Sequence, residues 1–373
     1  MVKSQTQRQR AAIESNDEQL PELDIQELTA QGKFYPQSEL DSDKDELDSL
    51  AGYDSDERVE IETERMDIAA LKNSLFAHNI YFDRRTELPK ALAALFASVT
   101  LSREGPPSPK SKEVSQVSRF TSKMSELDAM IYLENYFGFP PTHTLGGGGD
   151  ENICRTHSQL WTASSIPTPN SLTDNLAAIL DAVGSPPRPK PDITYGYTRS
   201  TFSNLEFTKL ASLPSSTTGT RGAEPLFPFL IFEWKSGLGM AETAELQAMR
   251  DGAAAVNTHR HFFVETGIAQ PSESDTAMFC VYVGPRNIDI YLSWRREHPR
   301  DGISWEMDKV FAGLLERPED VFFARTILLN IRNWALQQRL KRIKAALRSF
   351  KKRKAEDDSV GEERQGRPKR RRG

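Results

Sequence analysis

Hydrophobic and polar positions divide the chain into stretches of different character. Over 1–66 apolar residues are sparse, and polar runs such as Ser38-Glu39-Leu40-Asp41-Ser42-Asp43-Lys44-Asp45-Glu46 dominate. Such a stretch lacks the apolar surface that offsets ordering entropy, so an acidic disordered region is expected there. Over 67–100, Leu71, Leu75, Leu88, Leu92 and Leu95 recur at helical spacing on either side of a polar bend at Asp83-Arg84-Arg85. That pattern predicts a short helical hairpin. Gly105-Pro106-Pro107-Ser108-Pro109 marks 101–120 as a linker.

From 121 to 348 the pattern becomes that of a folded domain. Ser125 is placed to cap a helix running to Phe137, with Leu127, Met130, Ile131 and Leu133 as its apolar positions. The run Gly146 to Gly149 has no Gly-Lys-Ser/Thr after it and reads as a surface loop rather than a phosphate loop. Leu172 to Val183 suits a short helix, and Pro186 to Lys190 an extended entry to the next element. Asp192 to Thr198 is rich in β-branched and aromatic residues and predicts a strand, followed by a Ser/Thr/Gly-rich loop around Ser215 to Gly222. Phe227 to Lys235 is apolar on both faces until its end, as in a buried central strand. Ala241 to Val256 predicts a helix packed closely on the sheet, with Leu246, Met249, Ala253 and Val256 in one stripe. Met278 to Val283 and Asn287 to Trp294 form a hairpin around Gly284-Pro285, and Pro318 opens a long helix from Glu319 to Phe350.

Composition sharpens this picture. The chain has 373 residues, of which 38% are hydrophobic and 27% charged. That is too polar for a chain folded throughout and too apolar for one disordered throughout. No apolar run approaches the ~18 residues of a membrane span, and the polar start, with Arg8 and Arg10, is unlike a secretory signal. Two distant cysteines, Cys154 and Cys280, exclude a cysteine-based zinc module and a disulfide framework. The net charge of -5 hides an asymmetry: residues 1–66 hold 18 Asp/Glu against 7 Lys/Arg, while 338–373 hold 15 Lys/Arg against 5 Asp/Glu. A basic tail at 349–373 suits nucleic acid or an import receptor.

Candidate chemistry gathers on the strand residues. Glu233 and Lys235, two apart, project from the same face at the end of an otherwise apolar strand. Burying both there is costly unless they pair or bind something. Asp192 opens a strand that suits pairing beside them. Two carboxylates with a backbone carbonyl and waters make an oxygen site for Mg²⁺ or Mn²⁺, and a lysine beside it can orient a water or neutralise a phosphate. Glu233-Trp234-Lys235 is the only acidic-x-Lys triplet in the sequence. The plain alternative is a Glu–Lys ion pair at a sheet end. A further carboxylate from the first helix, Glu126 or Glu134, is a weaker candidate, better read as a solvated helix face.

Pro191-Asp192 and Glu233-Trp234-Lys235 resemble the signature of the PD-(D/E)XK nuclease superfamily, the restriction-endonuclease-like fold. More narrowly, the chain resembles the PD-(D/E)XK nuclease-like proteins common in filamentous fungi. That likeness runs through Phe229 to Ser236, Ala244-Glu245-Leu246-Gln247, Asp251-Gly252-Ala253-Ala254, and Asn330-Ile331-Arg332-Asn333-Trp334-Ala335 with Arg339-Leu340. The resemblance implies an α/β domain over 121–348 with a central mixed sheet flanked by helices. It implies metal-dependent phosphodiester hydrolysis, with Asp192 and Glu233 as ligands of Mg²⁺ or Mn²⁺ and Lys235 as the catalytic lysine. Gln247 matches a glutamine of the following helix that positions the site. Asp251 stands where RecB-like members carry a tyrosine, and the long separation of Asp192 from Glu233 makes the intervening loop an insertion. The hairpin at 67–100 faintly resembles the small helix–loop–helix SAP module; the preferred reading is a hairpin packed on the main domain or on nothing.

Other residues have commoner structural roles. His259 and His261 read as a surface pair in a loop or at a strand start, with no cysteine near to make a metal site. Arg295 and Arg296, after Trp294, suit phosphate contacts, although a tryptophan capping the sheet is the commoner outcome. Trp334 reads as core. The last helix turns basic at Arg339, Lys341, Arg342, Lys344 and Arg348, of which Lys341 and Arg342 are nucleic-acid candidates. Lys351, Lys352, Arg353 and Lys354, then Lys369, Arg370, Arg371 and Arg372, make two basic blocks of the nuclear-import kind. The expectation is therefore a nuclear, metal-dependent DNA nuclease with no membrane partner; the alternative is a catalytically silent nuclease-like module that binds nucleic acid or protein.

Overall fold

The computed structural model describes residues 68–82, 87–103, 110–121, 124–139, 151–168, 180–182, 184–214, 224–235, 241–298 and 302–350. The acidic region 1–66, the basic tail with both import blocks, and the loops Gly146–Gly149 and Ser215–Gly222 lie outside them. The described elements, in chain order, are α1 (Ile68–Ala77), β1 (Ile80–Phe82), α2 (Lys90–Val99), α3 (Lys110–Thr121), α4 (Glu126–Phe137), β2 (Ile153–His157), β3 (Ile193–Tyr197), α5 (Asn204–Ala211), β4 (Leu226–Trp234), α6 (Ala241–Glu265), α7 (Glu273–Thr276), β5 (Met278–Val283), β6 (Asn287–His298), β7 (Gly302–Leu314), α8 (Pro318–Trp334) and α9 (Leu340–Ser349). A π-helical turn, Ala335–Arg339, joins α8 to α9.

The seven strands form one mixed sheet in the order β1-β7-β6-β5-β4-β3-β2. β2, β3 and β4 are antiparallel neighbours; β4 and β5 are parallel, with α6 as the crossover between them. The expected hairpin of β5 and β6 is present and antiparallel. The sheet separates two cores. Leu230, Phe232 and Trp234 of β4 face one core, with Tyr195 of β3 and residues of α2, α4, α8 and α9. Ile231 faces the other, with α1 and α6. β4 is buried along its whole length, which is why it reads as a continuous apolar run.

The folded sequence differs from expectation in places. The two helices expected at 67–100 are present, and between them β1 pairs parallel with β7, Ile80 beside Trp305. Leu92, Leu95 and Val99 join the first core, and Asn330 of α8 donates to the carbonyls of Val99 (3.0 Å) and Leu101 (2.9 Å). The pair therefore packs on the main domain. The linker expected at 101–120 contains α3, whose Val114 reaches the same core; its polar composition hid a helix that buries only a narrow stripe. Of the helix expected at 172–183, residues 180–182 are helical and 169–179 lie outside the described residues. β7 had no counterpart in the sequence pattern, because Ser304, Glu306, Asp308 and Lys309 interrupt its apolar positions. Buried Ser304 donates to buried Glu306 at 2.6 Å, which pairs these two within the strand. The long last helix is divided by the π-turn. Among the described residues no helix is long and apolar enough to cross a membrane.

Candidate active site

β3 and β4 bring Asp192 beside Glu233. Their register sets Ile193 opposite Phe232 in an antiparallel pair, so the residue before one faces the residue after the other. The odd positions of β3, Ile193, Tyr195 and Tyr197, enter the first core; Asp192 and Thr194 therefore share the opposite face with Ile231, Glu233 and Lys235. That is the face covered by α6. The Trp234 backbone N–H donates to Asp192 Oδ2 at 2.7 Å, and Lys235 Nζ lies 3.8 Å from the same oxygen. Asp192, Glu233 and Lys235, expected together from sequence, are together.

α6 adds a third carboxylate. Gln247 and Asp251 are one turn apart and share a face of this helix. Asp251 is fully buried; its Oδ1 accepts from Arg250 Nε at 2.5 Å, and its charge acts on both Glu233 and Asp192. Three buried oxygens in this group make no hydrogen bond: Glu233 Oε1, Asp251 Oδ2 and Gln247 Oε1. Orphan acceptors in one place are uncommon in folded proteins and mark either a bound group or a strained site.

The electrostatics follow from burial. Glu233 is 1% exposed. Desolvation, then the charges of Asp251 and Asp192, raise its pKa well above the ordinary carboxyl range, against the opposing pull of Arg250 and Lys235. Burial also raises Asp192, while Lys235 and the Trp234 N–H pull it down. Two carboxylates pushed toward their neutral forms by burial, and by the charge of Asp251, hold a proton or a cation more readily than they stay bare. A neighbouring acidic group behaves differently. Tyr291 donates to Glu245 at 2.8 Å and Asp289 at 3.3 Å, and Lys309 lies 3.7 Å and 3.3 Å from the same two carboxylates. That group is closed on itself.

The donor set fits a hard divalent cation in kind: carboxylate oxygens, two of them buried and without partners. It is a two-carboxylate fit, since among the described residues no three His, Cys, Asp or Glu side chains form a group that could hold a metal ion.

The remaining sequence candidates fall elsewhere. Glu134, expected on a solvated helix face, is 6% exposed; it pairs with Arg155 and accepts from Tyr195 OH at 3.3 Å. It lies on the first-core side of the sheet, away from Glu233. The side chain of Glu126 is outside the described set. His259, expected at the surface, is 1% exposed because α6 runs on to Glu265. Its ring accepts from Arg339 Nη2 at about 2.8 Å. Arg339 itself, expected on a basic surface, is 1% exposed; the π-turn carries it inward, where Nη1 donates to the Phe227 carbonyl at 3.0 Å. Arg342 donates twice to Asp275, at 3.1 and 3.0 Å, and Lys341 is exposed. Arg295 and Arg296 are successive strand residues on opposite faces of the sheet. Trp294 is fully buried and Trp334 is core. Sequence reasoning missed Asp251 and Arg250 as site residues. The signal was the i, i+4 relation of Asp251 to Gln247 on the helix that covers β4.

These elements define a mixed α/β domain in which one crossover helix closes a carboxylate and lysine cluster at the end of the central strands. The chain belongs to the family described as Domain of unknown function (DUF7924), which matches residues 141–347, more than half of it. The matched region carries Asp192, Glu233, Lys235, Gln247 and Asp251. No curated protein and no solved structure matches the chain.

Proposed function

We propose that this protein is a metal-dependent nuclease that hydrolyses phosphodiester bonds of DNA at the Asp192–Glu233–Lys235 cluster. The observation that carries this reading is Glu233: buried, with an unpartnered oxygen, beside two other carboxylates and within the field of Lys235. The order of helix α4, antiparallel strands β2 to β4, helix α6 and parallel strand β5 supports it, being the order of helix, strands, Ala-rich helix and strands that the PD-(D/E)XK resemblance implies.

Asp192 and Glu233 would hold Mg²⁺ or Mn²⁺, which when bound supplies Lewis-acid charge and a more acidic water. The Trp234 N–H holds the Asp192 carboxylate in place, leaving its other oxygen for ligation. Lys235, drawn toward Asp192, offsets phosphate charge or orients the attacking water. Asp251 adds a third carboxylate to the cluster, and Gln247 positions its edge. The basic blocks at 351–354 and 369–372 support a nuclear location and contact with nucleic acid.

The test is cleavage of plasmid and single-stranded DNA by the purified chain with Mn²⁺, Mg²⁺ or EDTA, beside Glu233→Gln and Lys235→Ala. We expect metal-dependent cleavage in the wild type and a loss of about 10²-fold or more in each variant, with DNA binding retained. Equal cleavage by the variants, or none under any condition, contradicts the reading.

A second reading is favoured by a specific observation. Asp192 Oδ2 is already engaged by the Trp234 N–H and Lys235, and the described residues form no three-ligand metal group. On that reading the module is catalytically silent and binds nucleic acid or protein. It predicts no cleavage, and binding unchanged in Lys235→Ala.

A further inference from the structure

A cavity of about 300 Å³ lies between the last turns of α6 and the ends of β6 and β7. It is on the α6 side of the sheet but at the other end of the strands from Glu233. Arg260 follows Asp251 by nine residues, about 14 Å along the helix axis. Its walls include Asn257, Arg260, His261, Glu265, Arg295 and Trp305. Arg295 and Trp305 are direct cross-strand neighbours, so strand pairing fixes them side by side.

The charges of this cavity are poorly matched. The Arg295 side chain is 10% exposed, and the partner it donates to, Glu297 at 3.2 Å, is 67% exposed. An exposed partner compensates a buried guanidinium weakly. Arg260 adds a second positive charge: burial first, and then Arg260, lower the pKa of Arg295. His261 is lowered by burial and by Arg260, with Glu265 opposing. Trp305 is 4% exposed, and its indole N–H is buried with no acceptor. Two arginines thus share one wall against their mutual repulsion, with the exposed Glu297 bonded to one of them and Glu265 as the carboxylate of the lining.

We propose that this cavity is a binding site for a phosphate monoester, with Arg260 and Arg295 gripping the phosphate oxygens. Arginine forks match phosphate geometry. The volume is at the lower end of the range for small-molecule sites and admits a phosphate with part of its ester group. The site does not depend on the carboxylate cluster, and phosphate binding here stands whether or not DNA is cleaved there. The ester has two possible sources, a free nucleotide or the terminal phosphate of a nucleic-acid strand.

The test is calorimetric titration of the full chain, in EDTA, with inorganic phosphate, adenosine 5′-monophosphate, and one short oligodeoxynucleotide with and without a 5′-phosphate. We expect one-to-one binding of the monophosphate, weakened about tenfold or more in Arg260→Gln and in Arg295→Gln. Arg260 is only half-buried, so its variant carries the test if Arg295→Gln fails to fold. Tighter binding of the phosphorylated strand than of its unphosphorylated twin, lost in Arg260→Gln, assigns the site to strand ends. Binding of the monophosphate with no such preference assigns it to a free nucleotide. Failure of every phosphorylated probe to bind, or binding equal in wild type and both variants, overturns the proposal.

Discussion

Helix α6 connects two polar regions of opposite character. In its first half, Asp251 faces Glu233 and Asp192, and carboxylate oxygens are left without hydrogens to accept. Near its end, His259 faces buried Arg339 while Arg260 and Arg295 crowd one cavity, and the guanidiniums are the groups short of partners. Arg339 Nε, like Glu233 Oε1, is buried with no hydrogen-bond partner. Yet the two regions are held differently. Arg339 is tied to the Phe227 carbonyl and the His259 ring, beside Tyr197, which bonds the Ala335 carbonyl at 2.8 Å; this knits the π-turn to the start of β4. Among the described residues nothing comparable closes Glu233. A buried charge bonded on several sides serves the fold, whereas one with an idle oxygen toward like charges is available to a ligand. The Glu245–Asp289–Tyr291–Lys309 group, a few residues from Gln247, makes the same point: its acids are satisfied, and it carries no functional reading.

The largest effect that separates these roles is on stability. Arg339→Ala should cost about 3 kcal/mol, from the cavity and the carbonyl it leaves unpaired, measured by chemical denaturation. Arg339→Met, which fills the space, should recover part of that loss. Replacement of a ligand-poised group should do no such harm.

A smaller effect tests how closely α6 is held to the sheet. A Cβ at Gly252 would meet the Ser293 hydroxyl and lie 2.9 Å from Cys280 Sγ. Gly252→Ala should therefore cost about 2 kcal/mol by overpacking, and Ser293→Gly should relieve part of it. A neutral Gly252→Ala would mean that α6 lies further from β5 and β6, and the carboxylate cluster would be looser than described.

The smallest effect in acid, and the most diagnostic in its trend, is that of Glu233→Gln on metal-free stability. The folded-state pKa of Glu233 is raised above 4.5, its ordinary value. Its favourable contribution is therefore complete below that value and is lost as pH rises toward the folded-state pKa. Wild type and Glu233→Gln should melt alike near pH 4, and the variant should become the more stable as pH rises to 8. A difference independent of pH would mean that the Glu233 pKa is the same folded and unfolded, and a wild type that gains on the variant as pH rises from 4 would mean that Glu233 is ionised and paired in the native state.

Much of the central sheet was legible because its signals are local. β4 is apolar on both faces, β5 and β6 flank a Gly-Pro turn, and α6 is rich in alanine. Ser125 caps α4 as its position suggests, accepting from the Asp128 N–H at 3.1 Å. Elements whose identity depends on partners were not legible. β7 is half polar, and Ser304 and Glu306 satisfy each other only once paired with β6. α3 lies in a stretch punctuated by prolines and buries one stripe. The site was legible in its strand residues, since Glu233 and Lys235 two apart at a strand end fix a common face. Asp251 was not, because a lone aspartate in an Ala-rich helix has no local signature; only the crossover from β4 to β5 carries it over Glu233. Arg339 and His259 misled for the same reason. A basic run and a pair of histidines look superficial until a π-turn and an extended helix bury one member of each.

The most direct measurement is calorimetric titration of the full chain with Mn²⁺ at pH 7, in two buffers of different ionisation enthalpy, for wild type and Glu233→Gln. Burial and like charges favour the protonated form of Glu233, so a cation that takes its place favours release of that proton. The account predicts Mn²⁺ binding with net proton release in the wild type, both lost in Glu233→Gln. No binding, or binding and proton release unchanged in the variant, would contradict it.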